Sequence, residues 1–453
     1  YNKNSAIPTK NLDQLAKEGI SFTDAHTPSS VCTPTRYSLL TGRYAWRSKL
    51  KSGVLRGYSP LLIETWRATI PSMLKKNGYH TAGIGKWHLG MGNGEADYYP
   101  EDNDKGQNSE NDFSGLSPGP NEVGFDYFFG IPASLDMKPY VYIENGRPYR
   151  PLDGRLIKSS KKRRNGGEGF WRTGQIAEGF VHQNVLPTIT EKAINYIKSR
   201  SNAKDDKPFF LYFALTAPHT PWLPSDEFIG KSKAGYYGDF AVQVDDVVGQ
   251  IRATLKETGM DKNTLLVFTS DNGAHWTDND LKKYDHLANG SLRGQKADIY
   301  EGGHRVPLII TWPGNIPQNI SSMQPTTLTD LMATFAAIVG VKLESDEGPD
   351  SFNMLPTLLN HNNQQKPRAP MIHHSYDGMF AIRDGDWKLI DGLGSGGFTK
   401  PVRETMGKDK VVVQLYNLKN DLGENKDVAS SNPEIVSKLL IKLNNIKDRG
   451  ASR

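Results

Sequence analysis

Cys32 is the sole cysteine in 453 residues, so it has no internal disulfide partner. It is either an inert buried thiol or a residue kept for its chemistry. It opens the run Cys32-Thr33-Pro34-Thr35-Arg36, with Leu40-Thr41-Gly42-Arg43 just downstream. Thr33 is a good N-cap and Pro34 suits a first helical turn, so the pattern predicts a helix over 34–40 that ends near Gly42. Cys32 then sits at the mouth of that helix, where unpaired N–H groups and the positive end of the dipole favour a tetrahedral oxyanion. Arg36, one turn in, is placed to fork onto anionic oxygens.

Three more polar clusters follow apolar runs: Gly85-Lys86-Trp87-His88-Leu89-Gly90, Ala217-Pro218-His219-Thr220-Pro221 and Ser270-Asp271-Asn272-Gly273. Each alone is ordinary, since a lone histidine is usually structural and Asp-Asn-Gly is usually a turn. Together they fall where open α/β sheets place their ligand sites, just beyond strand ends.

The elements that must hold these groups are legible in outline. Short apolar strands alternate with amphipathic helices, which predicts an α/β fold around a large mixed, mostly parallel sheet flanked by helices. Helices are expected over 11–18 and 70–77, stopped by Gly19 and Gly78, with a strand running from Gly78 into Gly85. The continuous apolar runs 209–216 and 265–270 read as strands covered on both faces, and 306–312 as a further strand. Val244, Val247, Val248, Ile251 and Leu255 recur at helical spacing and form one buried stripe. The length asks for two domains. We place a catalytic domain at 1–365 and a smaller C-terminal α+β subdomain at 366–453, beginning after the polar stretch 360–368. The subdomain should contain a hairpin of 380–384 and 387–391 about Gly385-Asp386. Its final helix, capped by Asn432-Pro433-Glu434, should bury Ile435, Leu439, Leu440 and Leu443. No run reaches the roughly 18 to 20 apolar residues needed to span a bilayer, and with no secretory leader at Tyr1 a targeting peptide is expected to be either absent or already removed. A net charge of +5 is only a weak pointer to an anionic partner.

The string Cys-x-Pro-Thr-Arg with Leu-Thr-Gly-Arg downstream resembles the signature of the type I, formylglycine-dependent sulfatases of the alkaline phosphatase-like superfamily. The three strand-end clusters resemble that family's segments in the expected order. So do Leu292-Arg293-Gly294-Gln295-Lys296, Glu301-Gly302-Gly303-His304-Arg305-Val306-Pro307 and the 381–390 segment. A cysteine-dependent phosphatase loop, by contrast, needs arginine where this chain has Ser38.

The resemblance implies a mechanism. A maturation enzyme oxidises Cys32 to formylglycine, one hydroxyl of the hydrate attacks sulfur, and the resulting ester collapses to aldehyde and sulfate. Asp271, Asn272 and modified Cys32 would be ligands of one divalent cation, calcium. Arg36, Lys86 and Lys296 would hold nucleophile, sulfate and leaving oxygen, His219 would be the general acid, and His88 would take the remaining hydroxyl proton.

The family also normally begins with a strand ending in two adjacent aspartates that bind the metal. No such pair precedes the segment Asn4-Ser5-Ala6-Ile7-Pro8-Thr9, and Asp245-Asp246 lies inside a helical stripe. We therefore expect the sequence to lack its amino-terminal strand rather than the enzyme to do without it.

For the substrate, Gly124-Phe125-Asp126-Tyr127 and 132–137 resemble bacterial carbohydrate sulfatases. That implies a sulfated glycan, with a sulfated galactan as the narrower expectation, and export to the periplasm or cell exterior. Trp171, His304, His373 and His374 are candidate substrate contacts. The basic run 158–164 before Phe170-Trp171-Arg172 is a candidate grip on a sulfated polymer; the acidic insert 95–112 is read as solvated. No nucleic-acid partner is expected. Two alternatives stay open: a phosphoester or phosphonate hydrolase of the same superfamily, and a non-catalytic sulfated-glycan-binding protein.

Overall fold

The computed structural model describes residues 5–93, 116–159, 170–359, 368–404 and 412–453. The acidic insert 95–112, residues 160–164 of the basic run and the 365/366 domain boundary lie outside the described residues.

The body of the molecule contains two sheets with helices around them. One has the order Leu266–Thr269, Leu308–Thr311, Ile20–Phe22, Ile320–Ser322. The other has the order Arg147–Pro148, Ile143–Glu144, Tyr127–Ile131, His80–Lys86, Phe209–Ala214. His80–Lys86 is parallel to both neighbours, whereas Leu308–Thr311 is antiparallel to both of its own. Phe209–Ala214 and Leu266–Thr269 each stand at the end of a sheet and are mostly half-buried rather than covered on both faces. Phe268 of the second strand, Leu215 just beyond the first and Ile309 of the neighbouring Leu308–Thr311 line a cavity.

The helix Lys10–Lys17 lies against Gly235–Glu257, which also packs on Val185–Ser201. Cys32–Thr41, Ile70–Lys76 and Leu331–Ile338 form a second group. Val244, Val247, Ile251 and Leu255 are buried, as the helical spacing requires, and Val248 packs beside Ile309. Asp245 serves the structure, since its carboxylate accepts hydrogen bonds from the backbone of Asn11 and Leu12 at 2.8–3.1 Å. It caps the exposed donors of the Lys10–Lys17 helix.

The helix at Cys32 is longer than expected and capped differently. It runs Cys32–Thr41 with extended Val31 as N-cap, and no side chain caps it. Thr33 is inside the helix, and its hydroxyl donates to the His88 carbonyl at 3.0 Å. That hydroxyl is used to tie the helix to the next strand end instead of closing the helix on itself. At the other end Gly42 adopts φ +62°, and a Cβ there would come within 2.7 Å of the Gly348 Cα. Only glycine suits both the left-handed turn and the close approach.

The C-terminal part is an antiparallel sheet of Met371–His374, Phe380–Asp384, Trp387–Asp391 and Gln414–Asn417. The hairpin turns at Gly385, with Asp384 opposite Trp387. The helix Pro433–Asp448 covers it with Val436, Leu439, Leu443 and Ile446. Tyr44 and Trp46 from the body complete this small core. None of the helices among the described residues is long and apolar enough to cross a membrane.

Candidate active site

The strand ends converge. Cys32, Arg36, Lys86, His219, Asp271, Asn272 and Lys296 all line one cavity of about 1110 Å³. Cys32 is the first residue of its helix and is 2 % exposed. The loop before it is fixed by Ala297 N–H donating to the Ser30 carbonyl at 2.8 Å and Ser30 N–H donating to the His374 carbonyl at 3.0 Å. Lys296 N–H donates to the Ala274 carbonyl at 3.0 Å, which sets Lys296 beside the Asp271-Asn272 turn. Ala297 holds φ +81° while fully buried, an uncommon conformation for a residue with a Cβ that marks a strained junction next to the site.

Arg36 organises the centre. Its Nε and Nη2 both lie 2.7 Å from Asp271 Oδ2, and its Nη1 donates to the Lys86 carbonyl at 2.6 Å. Burial alone would raise the Asp271 carboxyl, but Arg36, Lys86 and Lys296 together hold it well below the usual carboxylate range. Burial, with Arg36 and Lys296 adding to it, lowers the Lys86 ammonium. The result is a buried site with a cationic surplus, which favours an oxyanion with several equivalent oxygens.

The two histidines differ. His219 is at the cavity; burial first, then Lys296 and Lys86, push it well below its ordinary value. His88 is fully buried and is not among the lining residues. Its Nε2 is 2.8 Å from the Leu55 carbonyl and its Nδ1 has no partner among the described residues. It too adopts a left-handed backbone, φ +59°, and burial, Lys86 and Arg36 depress it.

Asp271 and Asn272 have the chemistry of a hard-cation site, because the Asn272 Oδ1 is buried without a partner among the described residues next to a carboxylate kept ionised. They supply two of the roughly six to eight oxygens calcium takes. The remaining carboxylates on the cavity wall are Asp136, which pairs with Arg172, and Asp280, which caps the Asp278–Tyr284 helix.

The structure places none of the four candidate substrate contacts on the cavity wall. His304 and His373 are fully buried outside the cavity wall, in a cluster with His26. The His304 and His373 rings stack at 3.9 Å and 10°, so one ion cannot lie in both ring planes. His304 Nε2 is instead 2.9 Å from Lys388 Nζ, and His26 Nε2 is 2.7 Å from Asp24. These rings belong to a charge network that joins the body to the C-terminal sheet. His374 is buried in strand Met371–His374, outside the cavity wall. Trp171 stacks on His182 at 4.7 Å and its indole donates to the Lys158 carbonyl at 2.9 Å, so packing occupies that ring. The wall is supplied by residues that sequence reasoning missed: Asp136, Arg172, His275, Tyr376 and Phe398. Asp136 falls inside the 132–137 segment and Arg172 ends the Phe-Trp-Arg run, so both had a signal. Phe398, 45 % exposed in a glycine-rich loop, had only its unexplained aromatic character.

Comparison with known proteins accords with this geometry. The Sulfatase family model matches residues 1–341. The chain is 32% identical over 477 residues to an N-acetylgalactosamine-6-O-sulfatase of Bacteroides thetaiotaomicron, covering 98% of this chain and 89% of that one. It is 31% identical to arylsulfatase A of Homo sapiens, over 95% of this chain and 81% of the relative. A solved structure from work on the metabolism of multiple glycosaminoglycans by Bacteroides thetaiotaomicron superposes with a TM-score of 0.83 at 30% identity, covering 98% of this chain and 94% of that one. The chain therefore belongs to the sulfatase family, has its alkaline phosphatase-like α/β fold, and is an enzyme that hydrolyses sulfuric esters.

Proposed function

We propose that this enzyme removes sulfate from a sulfated carbohydrate of galactose configuration, outside the cytoplasm, after maturation of Cys32. The observation that carries the reading is the convergence of Cys32, Asp271, Asn272, His219 and three cations, Arg36, Lys86 and Lys296, on one cavity. Support for the sugar comes from the N-acetylgalactosamine-6-O-sulfatase similarity and from a structure in complex with k-i-k-neocarrahexaose, matched at TM-score 0.71 and 25% identity over 100% of this chain and 89% of that one.

In this reading Asp271 and Asn272, with residue 32, would hold a calcium ion, which when bound supplies charge neutralisation at the sulfate. Conversion of Cys32 to formylglycine by a separate maturation enzyme supplies the hydroxyl nucleophile. Arg36 orients Asp271 and the Lys86 backbone through its buried fork. Lys86 and Lys296 neutralise sulfate oxygens, and Lys296 steadies the leaving oxygen. His219 gives a proton to that oxygen, because a sugar alkoxide is a poor leaving group. Bound sulfate brings negative charge beside a ring whose protonation burial, Lys296 and Lys86 otherwise oppose, and so favours the protonated form. His88, held by Leu55 and with Nδ1 available, accepts a proton at that nitrogen from residue 32.

Material coexpressed with a maturation system should contain a residue-32 peptide lightened by exchange of hydrogen sulfide for oxygen. The same material should release sulfate from 6-O-sulfated N-acetylgalactosamine faster than phosphate from the matching phosphate ester. A preference for the phosphate ester, or an unconverted thiol in active material, would sink the reading.

A further inference from the structure

The loop after Tyr127–Ile131 carries a buried carboxylate to which the proposed reaction gives no role. Asp136 lines the cavity and is 4 % exposed. Its backbone carbonyl accepts from Tyr140 Oη and from the backbone N–H of Arg172, each at 3.2 Å, so the loop is fixed. Oδ2 pairs with Arg172 Nη1. Oδ1 is buried with no hydrogen-bond partner among the described residues and lies 3.8 Å from His219 Nδ1. Leaving such an oxygen unsatisfied costs about 1–3 kcal/mol, which is consistent with use during the reaction.

The ring beside it has a defined orientation. His219 Nδ1 lies 2.7 Å from the Thr220 carbonyl, which makes Nδ1 the donor nitrogen and leaves Nε2 for the substrate. The Nδ1 edge also faces Asp136 Oδ1, and a closure of about 1 Å would bring the two to hydrogen-bond length. The other charged or titratable groups acting on the ring are Lys296, Lys86 and His88, and all three oppose an imidazolium.

Resting on the reading of His219 as the acid, we propose that Asp136, clamped by Arg172, is the positioning residue of His219. Its free oxygen keeps Nε2 turned toward the leaving oxygen and balances the imidazolium until the Nε2–H bond breaks and the alcohol O–H bond forms. The ring then returns to neutral imidazole.

The test uses the matured full chain with a sugar sulfate and an activated aryl sulfate. Asp136→Asn should lower kcat on the sugar sulfate about 10-fold or more, leave its KM within about 2-fold, and slow the aryl ester less than about 3-fold. The alkaline limb of kcat, where the acid loses its proton, should move to lower pH. Arg172→Gln keeps the carboxylate but removes its neutralising cation, so that limb should move to higher pH. A rise in sugar-sulfate KM with kcat and pH limb unchanged would make Asp136 a substrate contact and overturn the assignment. Equal losses on both esters would overturn it as well. If Asp136→Asn does not fold, an unmoved alkaline limb in Arg172→Gln refutes it. His219→Ala separates the two levels: no leaving-group selectivity there defeats the acid reading itself, whereas selectivity there but not in Asp136→Asn defeats only this inference.

Discussion

Replacing Lys388 with methionine should expose how strongly the C-terminal sheet is locked to the catalytic body. Lys388 is fully buried, and its Nζ lies 3.1 Å from Glu301, 2.8 Å from Glu424 and 2.9 Å from His304 Nε2. Methionine fills the stem volume but leaves two buried carboxylates without their shared cation. Breaking a buried pair from one side costs about 3–5 kcal/mol. At ~2.1 cal/mol/K per residue near 60 °C, a chain of 453 residues has an unfolding entropy of about 950 cal/mol/K, so Tm should fall by about 3–5 °C. The loss must depend on pH. Burial and Glu301 push the Glu424 carboxyl up against the pull of Lys388, and without the lysine it rises further. A raised carboxyl is stabilising while protonated and loses that contribution as pH rises through its folded value. Because the wild-type carboxyl is already raised to about 7, the variant should lose most at pH 8 and up to about 1.4 kcal/mol less at pH 6. Calorimetry of wild type and variant at both pH values is the assay, with Lys388→Met/Glu301→Gln/Glu424→Gln expected to recover most of the loss. A Tm change below about 1 °C, or the same loss at both pH values, would refute the account.

His219→Ala should cut turnover of sugar sulfates by about 10²–10⁴-fold while sparing activated aryl sulfates, read as a leaving-group dependence that steepens in the variant; equal losses would remove the acid role. Asp271→Ala should abolish bound divalent cation and activity together, and it should leave Arg36 without its carboxylate at a cost of about 3 kcal/mol; retained metal stoichiometry by elemental analysis would exclude Asp271 as a ligand. Acid should weaken the fold, because His26, His88, His304 and His373 are buried with depressed pKa values, burial being the largest cause in each. The unfolded chain binds their protons first, so stability should be lost as pH falls through about 6.5, by at most about 1.4 kcal/mol per pH unit for each ring. A Tm flat between pH 7 and 5 would contradict that. Cys32→Ser should keep the wild-type Tm within about 1 °C, since volume is conserved at a site where the thiol makes no disulfide, yet show no sulfate release.

The linear order of residue types determined a good deal by itself. Apolar runs of strand length followed by Gly-Lys-Trp-His, Ala-Pro-His-Thr and Ser-Asp-Asn-Gly placed the chemistry at strand ends, because an α/β chain must leave its sheet there and expose side chains to a crevice. The lone cysteine before Thr-Pro-Thr-Arg marked a helix mouth for the same local reason. Long-range placement was a different matter. Nothing in the linear order brings His219 to within 3.8 Å of Asp136, nor does it reveal that Thr33 would bond the His88 carbonyl rather than cap its own helix. His304 and His373 carry the same side chain as His219, and only packing separates them. Two are enclosed with Lys388 and Glu301, where burial and paired charge hold the fold, and one faces a cavity that Lys86 and Lys296 also line. Residue type sets which reactions a side chain can perform. The surrounding dielectric and neighbouring charges decide whether it performs one, and those are properties of the folded chain.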